Sequence, residues 1–156
     1  MPVIEPGQPA PAFSLPDQHG TVHTLAGYAG RPLVIYFYPK DDTSGCTKEA
    51  CTFQETLPRF DRSKAAVLGV SVLGTDSKAK FAKKYGLSFP LLADEDHAVA
   101  DKYGVWAKKS LYGRSFMGLV RTTFLIGPDG KVARRWDNVK VDGHADKVLE
   151  AVEELP

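Results

Sequence analysis

The chain has 156 residues, 43% of them apolar and 10% aromatic, which suits one ordinary domain with a buried core. Twenty basic and nineteen acidic side chains leave a net charge of +1 with no long run of either sign, so nothing favours a nucleic-acid or anionic-membrane partner. The sequence shows neither a signal-peptide pattern nor the roughly 18 apolar residues of a membrane span. We expect a soluble cytoplasmic protein forming a single domain over residues 1–156.

The first part of the chain predicts a short hairpin followed by a buried strand. Five of the eleven prolines lie in residues 1–16, so this arm should be extended, with strands at 13–15 and 21–23 around a turn at 17–20. Residues 31–38 form a continuous apolar, β-branched and aromatic run, which is typical of a strand covered on both faces. This strand should be central in a sheet.

The next segments alternate between helix and strand. A helix should run over residues 45–57, and Pro58 should end or kink it. A second buried strand is predicted at 65–73, and then a helix at 76–85 whose lysine-rich face should be solvated. Two strands joined by a helix imply a parallel pair with a right-handed crossover.

The second half predicts a short apolar segment at 90–93, a helix at 96–103 and a long loop at 103–117. Strands at 120–126 and 131–137 should form an antiparallel hairpin, because the Gly-Pro-Asp-Gly sequence between them is a strong turn signal. An amphipathic helix should close the chain. These elements predict an α/β fold with a central mixed sheet covered by helices on both faces, as in thioredoxin-like folds.

Cys46 and Cys51 are the only cysteines in the sequence. Cys46 lies where the first buried strand gives way to a helix, and unpaired backbone N–H groups and the helix dipole at that end favour a thiolate. A disulfide of an exported protein is the alternative, but without a signal peptide a catalytic or sensing pair is the better interpretation.

The spacing of the two cysteines has a structural consequence. Five residues along an intact helix place the Cα atoms about 8.6 Å apart, whereas a disulfide needs less than roughly 7 Å. If Cys46 and Cys51 pair, the first turn of the helix must therefore unwind. The sequence predicts local unfolding linked to oxidation.

Three neighbouring residues have candidate roles. Thr43 and Ser44 are residue types that cap helices, and a hydroxyl three residues before the thiolate could also donate to sulfur and accept from a substrate O–H group. Pro39 ends the strand and should fix the direction in which the loop leaves.

Other residues are weaker candidates for chemistry. The aromatic side chains of Phe81, Tyr85 and Trp106 are expected to be packing residues, although Trp106 in its long loop could line a pocket. The four histidines show no ligand spacing, so we expect no metal site. They are His19, His23, His97 and His144.

Residues 36–46 contain the pattern Pro39-x-x-x-Thr43-x-x-Cys46, which is the active-site pattern of peroxiredoxins, and Cys51 follows five residues later. With this spacing the chain resembles the bacterioferritin comigratory protein (PrxQ) subfamily. The resemblance covers nearly the whole chain, and it extends to the segments at 13–17, 92–97, 103–106 and 121–126.

The resemblance implies a role for each matching residue. Cys46 would be the peroxidatic nucleophile, and Cys51 would be the resolving thiol. Thr43 would supply the hydroxyl that orients peroxide, and Pro39 would shield the pocket. Arg121 would be the cation beside the thiolate, Glu49 would be the carboxylate that orients the arginine, and Gly45 would be a supporting residue of the motif. One departure is Ser44, where the subfamily commonly has proline. This substitution should leave the loop more flexible.

The chemistry supports these roles. A thiolate displaces one peroxide oxygen while negative charge builds on the departing oxygen, and a fixed guanidinium stabilises that charge. Arg121 is the candidate because it opens an otherwise apolar strand, although it could instead be a charge at a strand end facing water. The sulfenic acid formed on Cys46 would condense with Cys51, and thioredoxin or a similar dithiol would reduce the disulfide, an inference from the resemblance.

We therefore expect a thiol peroxidase, a monomer by resemblance, that reduces hydrogen peroxide and organic hydroperoxides without metal, haem or flavin. Two alternatives remain. A redox sensor or holdase would use the same cysteine pair without fast turnover. A general disulfide oxidoreductase is less favoured, because that chemistry usually has two residues between its cysteines.

Overall fold

The structure, a computed structural model, describes residues 2–156. The strands in that range are β1 (Ser14–Pro16), β2 (Val22–Thr24), β3 (Leu33–Phe37), β4 (Ala66–Ser71), β5 (Leu91–Ala93), β6 (Trp106–Leu111), β7 (Arg114–Leu119), β8 (Thr122–Ile126) and β9 (Val132–Trp136). The α-helices are α1 (Ser44–Arg62), α2 (Thr75–Tyr85), α3 (Ala98–Tyr103) and α4 (His144–Glu153).

The central sheet is mixed, with the strand order β5-β4-β3-β8-β9. β3, β4 and β5 run parallel, whereas β8 lies antiparallel to β3 and β9 antiparallel to β8. Every residue of β3 is buried, which confirms the prediction that the continuous apolar run forms a central strand. The β3-α1-β4 unit is the expected parallel crossover.

Alternate side chains of β3 enter two separate cores. Val34 and Tyr36 pack with α1, α2 and α4 on one face. Ile35 and Phe37 pack with α3 and the N-terminal arm on the other. The prediction of helices on both faces is thereby confirmed, because successive residues of a strand point to opposite sides of the sheet.

The predicted end of α1 is wrong, because the helix continues through Pro58 to Arg62. A proline inside a helix removes one hydrogen bond and costs about 3 kcal/mol. Phe53 and Phe60, on either side of Pro58, are both fully buried. We attribute the continuation to this packing, since burying an aromatic side chain contributes about 2–3 kcal/mol.

The predicted loop at 103–117 is also wrong, since β6 and β7 pair in register as an antiparallel hairpin. Its turn residues Tyr112 and Gly113 both have positive φ, 52° and 77°, which is the conformation of a two-residue hairpin turn. Much of this ribbon is exposed, so it lacks the alternating apolar pattern that reveals a strand. Trp106 at its base stacks on His97 with a centroid distance of 4.3 Å and packs against the core.

Smaller differences concern β1 and β2, which form the expected hairpin one residue later than predicted. The lysine-rich face of α2 is not wholly solvated, because Lys78 is fully buried while its neighbours Lys80 and Lys83 are exposed. The hairpin of β8 and β9 and the helix α4 are confirmed.

None of the helices within residues 2–156 combines the length and the apolar character needed to cross a membrane.

Candidate active site

Cys46 is the third residue of α1, directly beyond the loop that leaves the end of β3. Its side chain is buried, with 1% of the residue exposed. The first N–H groups of a helix have no acceptor within the helix, and together with the helix dipole they create a positive potential. The fold therefore places a buried thiol in a positive potential.

Arg121 lies immediately before β8 and reaches across to this thiol. β8 pairs with β3, and Thr122 lies opposite Phe37, so Arg121 falls beside the end of β3. Its Nη2 donates to Cys46 Sγ at 3.2 Å, and its Nη1 donates to Glu49 Oε1 at 2.6 Å. The alternative of a charge facing water is therefore wrong.

The guanidinium stays charged although the side chain is mostly buried. Burial lowers the pKa of Arg121, but the neighbouring Glu49 and Cys46 outweigh that effect and raise it above its ordinary value. A fixed cation therefore lies against the sulfur.

Gly45 allows this close approach. A Cβ atom at position 45 would lie 3.3 Å from Arg121 Nη2, closer than side-chain atoms normally pack. A larger residue would therefore crowd the guanidinium. The presence of glycine before the cysteine therefore has a steric explanation, which the sequence alone did not reveal.

Glu49 is fully buried one turn after Cys46. Its Oε1 accepts from Arg121, while its Oε2 has no hydrogen-bond partner among residues 2–156. Burial raises the pKa of Glu49 to about 7, although Arg121 acts in the opposite direction. The carboxyl group can therefore change its protonation state near neutral pH.

Thr43 is the N-cap residue of α1, but its side chain makes no capping bond. The hydroxyl donates instead to the carbonyl oxygen of Lys40 at 3.0 Å, so the predicted side-chain cap is wrong. Ser44 is the first helical residue, and both residues are exposed. The oxygen of Thr43 retains lone pairs that can accept from a ligand.

Pro39 follows β3 by two residues and is half-buried. It lies at the start of the loop that leads to Cys46.

Cys51 lies in the same uninterrupted helix as Cys46, and both are free thiols. Cys51 is half-buried, and burial together with the charge of Glu55 raises the pKa of its thiol. With α1 intact, the pair retains the separation of about 8.6 Å that excludes a disulfide.

Two buried polar groups near this site were not predicted from the sequence. Tyr36 is fully buried and its hydroxyl has no hydrogen-bond partner among residues 2–156. His144 is also buried, and its Nε2 lies 2.8 Å from Thr123 Oγ1. Burial, aided by Lys147 and Arg121, lowers the pKa of His144 to about 4. No sequence spacing points to the burial of either group, because both depend on how α1 and α4 cover the sheet.

The part of the chain that the structure describes contains no group of three His, Cys, Asp or Glu side chains able to hold a metal ion.

The chain matches the AhpC/TSA family over residues 6–135. It is 47% identical over 146 residues to Peroxiredoxin Bcp of Xanthomonas campestris pv. campestris, covering 92% of this chain and 91% of that protein. It is 40% identical over 152 residues to Peroxiredoxin Bcp of Bacillus subtilis, covering 97% of each chain.

The structure is also similar to solved structures of proteins of the same type. A PrxQ mutant from Xylella fastidiosa superposes with a TM-score of 0.92 at 36% identity and covers 98% of both chains. The bacterioferritin comigratory protein of X. campestris, solved in work on its alkyl peroxide reduction activity, gives a TM-score of 0.89 at 42% identity. That match covers 96% of this chain and 98% of the other. The predicted thioredoxin-like fold is confirmed.

Proposed function

Since the chain belongs to the AhpC/TSA family, as a peroxiredoxin of the Bcp/PrxQ type and therefore a thiol peroxidase, we propose that Cys46 is the residue that attacks the peroxide. The observation that carries this proposal is the contact of 3.2 Å between Cys46 Sγ and the Arg121 guanidinium. It joins a buried thiol at a helix N-terminus to a fixed cation. Such a pair favours a thiolate.

In the first step the Cys46 thiolate attacks one oxygen of the hydroperoxide. A sulfur–oxygen bond forms and the oxygen–oxygen bond breaks, so sulfur is oxidised to a sulfenic acid and the peroxide is reduced. The departing oxygen takes up a proton and leaves as water or an alcohol. Arg121 and the N–H groups at the start of α1 stabilise the negative charge that grows on this oxygen.

Four residues prepare this step. Glu49 holds the second nitrogen of Arg121 and so orients the guanidinium. Thr43 accepts the O–H of the bound peroxide through its hydroxyl oxygen, and Pro39 shields the pocket. Gly45 leaves room for Arg121 beside the sulfur.

In the second step the Cys51 thiol attacks the sulfenic sulfur. A disulfide forms and water leaves, which protects Cys46 from further oxidation. Both cysteines lie in the intact α1, so the segment between them has to unwind first. Glu49 lies within that segment, so the unwinding removes its side chain from the buried site.

The cycle closes when an external dithiol reduces the disulfide by thiol exchange. Thioredoxin or a similar protein is the proposed reductant, and hydrogen peroxide and organic hydroperoxides are the proposed substrates. The X. campestris bacterioferritin comigratory protein was solved in work on its alkyl peroxide reduction activity, which supports the organic substrates. We further propose that the protein forms one domain over residues 1–156 and acts as a cytoplasmic monomer.

Two single variants test the division of roles between the cysteines. Cys46→Ser should abolish the reaction with peroxide. Cys51→Ser should retain the first attack, and intact mass should then show sulfinic acid accumulating on Cys46 because no thiol intercepts the sulfenic acid. The wild-type protein is the control and should give the disulfide. Equal loss of reactivity in both variants would contradict the assignment.

A further inference from the structure

Lys78, in α2, has a fully buried side chain. Lysine is almost never fully buried unless it is paired, because removing an ammonium group from water is costly. Its Nζ donates to Ser71 Oγ at 2.5 Å and to Tyr38 Oη at 3.3 Å. It also lies 3.4 Å from both carboxylate oxygens of Asp41. The proposed peroxidase reaction assigns no role to this lysine.

Asp41 is the residue that joins this network to the active-site loop. Only 2% of its side chain is exposed. Besides Lys78, its carboxylate accepts from Tyr38 Oη at 2.5 Å and from Ser77 Oγ at 2.7 Å. Asp41 lies two residues before Thr43, the N-cap of α1. A carboxylate bound by three donors therefore anchors the loop just before the helix that carries Cys46.

Asp42, the next residue, attaches the loop to α2 a second time, at an exposed position. Asp42 accepts from Lys84 Nζ at 2.9 Å and from Tyr85 Oη at 2.6 Å. Its φ of 57° is in the left-handed region, which is uncommon for non-glycine residues although aspartate adopts it more readily than most. The loop is thus attached to α2 at two successive positions.

We infer that Lys78 and Asp41 are positioning residues for peroxide attack, because their buried ion pair fixes the start of α1 and so favours the helical state of the turn that carries Cys46. This inference rests on the proposed function of Cys46 and Cys51. The two proposed steps need opposite states of that turn. Attack needs Cys46 in the helix beside Arg121, whereas disulfide formation needs the turn unwound.

The anchor should therefore affect the two steps in opposite directions. When the loop is attached to α2, the unwound state is less populated, so attack is fast and disulfide formation is slow. When the attachment is lost, the unwound state gains population. Attack should then slow and disulfide formation should quicken. A variant that is simply less folded would contain fewer active molecules. The ratio of disulfide formation to over-oxidation in each oxidised molecule would not change.

Lys78→Met tests the inference, since methionine is of similar length and carries no charge. The population of the unwound state relative to the helical state should rise about tenfold, which is the effect of a shift of about 1.4 kcal/mol, and the rate of Cys46 oxidation should fall as the helical state is depleted. The second readout is the peroxide concentration at which, among the molecules whose Cys46 has reacted, half carry sulfinic acid and half carry the disulfide, measured by intact mass. This concentration should rise several-fold, because Cys51 captures the sulfenic acid before a second peroxide molecule oxidises it.

Lys80→Met is the matched control, because Lys80 is exposed on the same helix. It should change neither readout. Ser77→Ala removes one donor to Asp41 without leaving a buried charge, so it should shift both readouts in the same directions by a smaller amount. It provides the test if Lys78→Met does not fold.

The over-oxidation readout concerns only molecules whose Cys46 has already reacted, so it does not depend on the folded fraction. If Lys78→Met or Ser77→Ala slows attack while the over-oxidation concentration stays constant, or changes neither readout, the inference is overturned. Those outcomes leave the proposed function intact as long as the wild-type protein reacts through Cys46. The proposed function fails separately if Cys46→Ser still consumes peroxide.

Discussion

Arg121 Nη2 lies 3.2 Å from Cys46 Sγ although 75 positions separate the two residues in the chain. Two adjacent strands account for the contact. β3 leads into the loop before Cys46, and Arg121 directly precedes β8, which pairs with β3. The sheet itself therefore fixes the distance between the thiol and the cation, as preorganised electrostatic stabilisation requires.

Arg121→Ala should slow the oxidation of Cys46 by hydrogen peroxide by a factor on the order of a hundred or more, because it removes a fixed charge that stabilises the departing oxygen. The measurement is the second-order rate constant under single-turnover conditions. Arg59→Ala is the control, since Arg59 is exposed near the far end of α1. An unchanged rate in Arg121→Ala would remove this residue from the site.

Gly45→Ala should slow the same reaction by a factor on the order of ten, because the new methyl group would displace the guanidinium by a fraction of an ångström. The Cβ of the variant would lie 3.3 Å from Arg121 Nη2. Gly27→Ala is the matched control, because its Cβ would meet only Thr24 Oγ1, at 3.4 Å. Equal rates for the two variants would show that Arg121 does not need this space.

Glu49→Gln should change how stability depends on pH. The folded-state pKa of Glu49, about 7, is raised above its ordinary value of 4.5, so its contribution to stability is complete below pH 4.5. That contribution falls as pH rises and is lost above about pH 7. The free energy of unfolding of Glu49→Gln, relative to wild type, should therefore rise by on the order of 2 kcal/mol between pH 4.5 and 8.

Denaturant unfolding at several pH values measures this difference. Glu55→Gln is the control, because Glu55 is exposed on the same helix and its variant should show no such trend. If the difference between Glu49→Gln and wild type were constant with pH, Glu49 would not titrate in this range.

His144 should give the opposite pH dependence of stability, with its contribution lost as the pH falls. Its folded-state pKa, about 4, lies below the ordinary value of 6.5, so its contribution is fully present above pH 6.5 and is lost as pH falls through 4. His144→Asn should lose less stability than wild type over this range, by on the order of 2 kcal/mol. The exposed His19 provides the control variant His19→Asn, and parallel acid profiles for wild type and His144→Asn would contradict the prediction.

The sequence predicted those features that a local pattern determines. The unbroken apolar run of β3 identified the central strand, and the turn between β8 and β9 identified their hairpin. The β6–β7 ribbon was missed because an exposed ribbon has no need of alternating apolar residues. Its two-residue turn at Tyr112 and Gly113 offered only a weak signal.

Side-chain partnerships across the fold were harder to predict. Arg121 was proposed from the resemblance of the chain to the PrxQ subfamily and from its place at the start of an apolar strand. Its contact with Cys46, however, depends on the pairing of β3 with β8. The burial of Lys78 was not predicted, because neighbouring lysines of α2 are exposed and a helix pattern alone does not show which one meets Asp41. The Oε2 atom of Glu49, which has no hydrogen-bond partner within residues 2–156, is likewise a result of packing.

The central claim is that the site around Cys46 accelerates peroxide cleavage, and a competition measures this most directly. Sub-stoichiometric hydrogen peroxide is added to reduced protein in a large excess of a simple thiol, and the mixture is quenched in acid within seconds and analysed by intact mass. We expect the protein to capture the oxidant as a disulfide between Cys46 and Cys51, with the loss of two hydrogen atoms. If the free thiol consumes the peroxide instead, Cys46 is an ordinary cysteine, and a redox switch without fast turnover becomes the better account.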